Sequence, residues 1–134
     1  MSVTFELEGQ PFIALNGGPL YTFSEAVSLF VDCKTQREVD YYWERLGEGG
    51  EHGRCGWLKD RWGLSWQIIP RALSECLDGP DRAGAKRAME AMLRMRKLDV
   101  ATLRAAYRGE GTDAHTSSKR SHAKATVKRR RAAL

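Results

Sequence analysis

The segment GRCGWLKDRWGLSWQIIP, Gly53 to Pro70, holds three of the chain's four tryptophans within ten positions. Ser65 and Gln67 share a parity with Ile69, opposite Leu64, Trp66 and Ile68, so an extended chain here shows one polar face and one apolar face. Cys55, Trp57 and Lys59 share a parity just upstream. An indole beside a hydroxyl and a neutral amide can stack on and orient an organic molecule, but offers no proton exchange near neutral pH. Each type also has a plainer use. Sheet tryptophans commonly pack in cores, strand Ser and Gln meet solvent or neighbours, and a cysteine such as Cys55 serves as a small hydrophobe.

Other constellations are set aside on their surroundings. NGG (16–18) and LGEGGEHG (46–53) are glycine-rich, but neither follows a strand and opens a helix, as a phosphate-cradling loop must. No glycine-rich turn with a downstream acid is present to hold a nucleoside, which argues against methyl transfer from a nucleoside donor. Cys33, Cys55 and Cys76 are odd in number and lack CxxC spacing, which points to a reduced, cytoplasmic setting. Met89, Met92 and Met95 recur at helical spacing and are read as packing.

The elements that position these residues follow from periodicity. SVTFELE (2–8) alternates Val3, Phe5 and Leu7 with polar residues, Glu8-Gly9-Gln10 can turn, and PFIALN (11–16) returns, giving a hairpin over 2–16. Residues 21–33, YTFSEAVSLFVDC, read as a third strand with Phe23, Val27, Leu29 and Val31 on one face and Ser24, Ala26, Ser28 and Phe30 on the other. Glu25 falls on the apolar parity near that strand's end and reads as a solvated residue. Thr35 with Glu38 forms a capping box for a helix ending at Leu46-Gly47, with Val39, Tyr42, Trp43 and Leu46 as its buried stripe. Strands over 54–59 and 64–69 flank a turn at Asp60-Arg61-Trp62-Gly63. Helices over 72–78, 81–96 and 99–107 complete an α+β order.

The 134 residues suffice for one domain, and 42% are hydrophobic. No apolar run reaches the roughly eighteen residues of a membrane span, and MSVTFELEGQPF does not read as a signal peptide. The net charge of +5 sits in the tail, because residues 1–108 carry 15 basic and 15 acidic residues while 109–134 carry 7 and 2. That tail has no periodicity and reads as disordered. It could hold polyanions nonspecifically, or it is a dispensable solvated extension.

Taken with this order, FIALNGG (12–18), RCGWLKDRWGLSWQ (54–67) and MEAMLRMRKLDVATL (89–103) resemble the PhnB-like, demethylubiquinone methyltransferase-like branch of the vicinal oxygen chelate superfamily, which includes glyoxalases, bleomycin resistance proteins and dioxygenases. The resemblance spans about residues 2–107 and implies two βαβββ modules curled around an open cavity. Residues 21–70 resemble the second module, 2–16 the final hairpin of a shortened first, and 72–107 are additional helices, within a domain of residues 1–108. It further implies that Met1 is an internal methionine or that the gene is shortened, and that exposed strand edges are covered by a second copy in a homodimer.

The superfamily usually holds a divalent metal through His and Glu. The frame Asp-x-x-Gly-x-x-x-Glu is met here by Asp60, Gly63 and a neutral Gln67, the histidine position falls at Ala26, and the other carboxylate position falls near Ala14 or Asn16. No metal ligand and no cofactor is expected from this set. The resemblance instead implies a small-molecule site lined by Asn16, Ser24, Ser28, Trp57 and Gln67, with Trp66 packed on the helix. A binding protein is the first reading. A metal-dependent glyoxalase- or dioxygenase-type enzyme, completed by an upstream segment or a partner chain, is the second. No catalytic residue is singled out.

Overall fold

The computed structural model describes residues 1–110, so residues 111–134 of the expected basic tail, with His115 and His122, lie outside the described residues. The first element pair is β1 (Ser2–Leu7) and β2 (Gln10–Leu15), antiparallel in a two-stranded sheet of its own. Glu8 and Gly9 both take positive φ, 48° and 80°, the two-residue turn whose twist suits a hairpin. Direct pairing of Phe5 with Phe12 stacks their rings, with centroids 5.6 Å apart.

A four-stranded sheet follows, built from β3 (Ser28–Cys33), β4 (Glu51–His52), β5 (Trp57–Lys59) and β6 (Ser65–Pro70) in the order β3-β6-β5-β4. β3 runs parallel to β6 and the other pairs are antiparallel. With α1 (Gln36–Gly47) between β3 and β4, this is the βαβββ order of the expected α+β fold. Thr35 caps α1 as expected, its Oγ1 accepting from the Glu38 amide at 3.2 Å, and Glu38 reaches back one residue beyond the cap, its Oε2 accepting from the Lys34 amide.

Two strands are shorter than their alternation suggests. β3 begins at Ser28 and not at Tyr21, because it pairs in register with β6 from Ser28–Ser65 onward. Residues before Ser65 belong to the Asp60–Gly63 turn, so 21–27 have no ladder to join. β5 begins at Trp57 because Cys55 and Gly56 lie in the left-handed region, φ 54° and 83°, and their amides donate to Met95 and Arg96 carbonyls instead of a strand. Cys55 therefore does not share a strand face with Trp57.

α1 packs on one sheet face, where Cys33, Val39, Trp43, Leu58 and Ile68 form a buried core with Trp66 against it. The helices α2 (Arg71–Leu77), α3 (Arg82–Arg94) and α4 (Val100–Arg108) build a second core of Ile69, Leu73, Leu98 and Leu103, flanked by Met92 and Met95. Met89, expected on the same stripe, is exposed. Gln36 ties α1 to this layer through the Leu98 carbonyl and the Val100 amide, at 3.1 and 2.8 Å. Among the described residues no helix is long and apolar enough to cross a membrane.

Candidate functional site

The sheet face opposite α1 carries three rows of side chains. Asp32 and Ile69 form one, Phe30, Gln67 and Trp57 the next, and Ser28, Ser65, Lys59 and Glu51 the third. The helical layer takes Ile69 into its core, and Arg71 pairs with Asp32 at 2.7 Å, which closes the first row. From the other two rows, Trp57, Ser65, Lys59 and Glu51 line a cleft, while Phe30, Gln67 and Ser28 stand beside it and are not among its walls. Its volume is about 340 Å³, and Trp57, Lys59, Ser65, Glu51, His52 and Glu25 are among its walls.

The hairpin that presents this face is locked by one carboxylate. Asp60 Oδ1 accepts from the Trp62 and Leu64 amides at 2.9 and 3.1 Å, and Oδ2 accepts from the Trp66 indole at 3.0 Å. Gly63 completes the turn at φ 87°. Trp66 is thereby pinned toward the α1 core, and its neighbours Ser65 and Gln67 must point to the opposite face.

Of the five sequence-predicted residues, Ser28, Trp57 and Gln67 share the open face. The Gln67 amide donates to Ser28 Oγ at 2.8 Å, and Trp57 stands directly across from Gln67 on β5. The structure does not bring Ser24 and Asn16 there by strand geometry. Ser24 lies in the irregular 21–27 segment with its Oγ accepting from the Ala26 amide, and Asn16 follows β2 with its side chain turned to the Gly18 amide.

Two features escaped the sequence reading. Glu25 leaves the strand path and pairs with Lys59 at 2.5 Å, holding its own carboxyl below the usual range through that hydrogen bond and raising the Lys59 ammonium reciprocally. Nothing local to Glu25 signals this, since it depends on 21–27 not being strand. The second is Ser65, fully buried with an Oγ that has no hydrogen-bond partner among the described residues. An unpaired buried hydroxyl costs on the order of 1–3 kcal/mol. Its parity with Gln67 was the available signal.

The residues do not fit a standard divalent-metal site. Gln67 is neutral and engaged with Ser28, and His52 has Nε2 at 3.0 Å from the Trp43 carbonyl with its ring against that indole. Among the described residues no three His, Cys, Asp or Glu side chains converge as ligands.

A βαβββ sheet with one face under a helix and the other lining a cleft is the architecture of a small-molecule-binding fold. Residues 1–69, half of the chain, match the family described as 3-demethylubiquinone-9 3-methyltransferase, and the chain belongs to that PhnB-like family. It is also similar to a solved PhnB protein from Bacillus cereus that carries the same methyltransferase description. Identity is 32% over 52% of this chain and 64% of that one, with a TM-score of 0.49. The chain thus spans less than two thirds of that relative's length. No curated protein matches it.

Proposed function

We propose that this chain is a small-molecule-binding protein of the PhnB-like family, with its site on the open sheet face and without the superfamily's usual metal. The observation that carries this reading is the Gln67–Ser28 hydrogen bond beside Trp57. The position that elsewhere holds a carboxylate ligand is a neutral amide tied to a hydroxyl, facing an indole. Such a set orients a ligand by stacking and hydrogen bonding. Methyl transfer is not part of the reading, because no turn suited to a nucleoside donor is found in the sequence.

The proposal includes a second copy of the chain as partner and a cytoplasmic setting. Val3, Phe5, Leu7, Ile13 and Leu15 stand exposed on the β1–β2 hairpin, and the outer edge of β3 is unpaired among the described residues. Apolar strands with free edges favour association. The three cysteines are free, in keeping with a reducing compartment.

Elemental analysis of the purified protein, run beside its solution mass, tests both parts. A metal-free dimer that shows saturable quenching of tryptophan by small organic molecules is the expected result. Near-stoichiometric Zn, Ni, Fe or Mn would overturn the metal-free reading and turn attention to ligands from another segment or chain.

A further inference from the structure

Beside the Gln67–Ser28 pair, the cleft walled by Trp57, Lys59 and Ser65 contains a charge arrangement which that pair does not use. Lys59 and Ser65 are direct cross-strand partners on one face, so their side chains start about 5 Å apart and can reach the same group. Ser65 Oγ is buried and unpartnered while its residue lines the cleft, a polar atom whose burial is offset once a ligand accepts from it. Among the described residues Lys59 is the one Lys or Arg on that lining, and its present partner is Glu25, an exposed residue on an irregular segment. Exposed ion pairs of this kind are weak and readily exchanged.

We propose that this cleft binds small organic monoanions, carboxylates foremost. The ligand carboxylate displaces Glu25 from Lys59, accepts the Ser65 hydroxyl proton in a hydrogen bond, and lays its apolar body along Trp57. The inference rests on the open face being a ligand site, and it names the ligand class for that site. Glu51, directly opposite Lys59 on β4, makes no ion pair among the described residues and keeps a second negative charge in the cleft. It therefore selects against dianions. His52, also on the lining, has its Nε2 3.0 Å from the Trp43 carbonyl.

The experiment is a titration of the full chain with benzoate, benzylamine and benzyl alcohol, matched in shape and differing in charge, followed by calorimetry and tryptophan fluorescence. Wild type is expected to prefer benzoate, and rising salt to weaken it. Lys59→Met should weaken benzoate roughly tenfold or more, and Ser65→Ala severalfold, with circular dichroism reporting that each variant folds. The diagnostic variant is Glu25→Gln, which removes the internal competitor and should tighten benzoate by roughly threefold or more. A Glu25→Gln that weakens benzoate, a Lys59→Met that leaves it unchanged, or a preference for benzylamine overturns the proposal. Benzyl alcohol bound equally by wild type and Lys59→Met, but lost in Trp57→Leu, with benzoate no better than the alcohol, would leave the open-face site standing and remove the anion inference alone. Binding of none of the three to any variant would overturn both.

Discussion

The β1–β2 hairpin and the β5–β6 hairpin are written in the same period-two pattern, yet they fare differently. In β5–β6, Leu58 and Ile68 are almost wholly buried under α1, and Ile69 under the C-terminal helices. In β1–β2, Ile13 and Leu15 are 72% and 75% exposed and no buried residue is found on either strand. Alternation specifies an extended chain with two distinct faces. Whether a face is covered depends on what the rest of the molecule, or another molecule, lays on it.

The contrast can be broken most forcefully in the core. Leu103→Ala should cost about 2–5 kcal/mol in chemical denaturation, since it empties a fully buried position of the second core. Asp60→Ala, which orphans two amides and the Trp66 indole, should cost about 1–3 kcal/mol and broaden the Trp66 environment seen by near-ultraviolet circular dichroism. Thr35→Ala, the loss of one helix cap, should cost about 1 kcal/mol. Asp99 caps α4 through the Thr102 amide, and the hydrogen bonds from Thr102 hold its carboxyl below the ordinary aspartate value. Its folded pKa is depressed, so its stabilisation is present above the unfolded value and fades as pH falls through the folded one. The acid limb of a melting-temperature profile should therefore flatten in Asp99→Asn. Phe5→Ala should be the mildest in dilute solution, under about 1 kcal/mol, while lowering self-association measured by sedimentation. If Phe5→Ala costs as much as Leu103→Ala at every concentration, the hairpin is part of the same core and the contrast fails.

What could be read from the sequence was local. The Thr35–Glu38 cap, the Glu8-Gly9 turn and the shared face of Ser65 and Gln67 each depend on residues a few positions apart, and each is found in the structure. Ser28 reached the open face as expected because β6 offers it a partner at Ser65. Ser24, four residues earlier, did not, because ladder pairing is a property of two segments and its opposite number would fall in a turn. The left-handed Cys55 was hidden for the same reason. Its backbone donates to Met95, forty residues away, and no pattern around position 55 encodes that. The Glu25–Lys59 pair and the short β4 are likewise products of the assembled sheet.

Ile69 has a consequence for where this molecule can be divided. The family match covers residues 1–69, whereas Ile69 itself sits in a core with Leu98 and Leu103. Arg96 then reaches back to the His52 and Gly53 carbonyls, and the Cys55 and Gly56 amides donate to Met95 and Arg96. The sheet and the helices that follow it are thus joined from both sides, and the edge of the family match is not a boundary of packing. A chain cut at residue 70 would lose the partners that Ile69, Cys55 and Gly56 find among the helices.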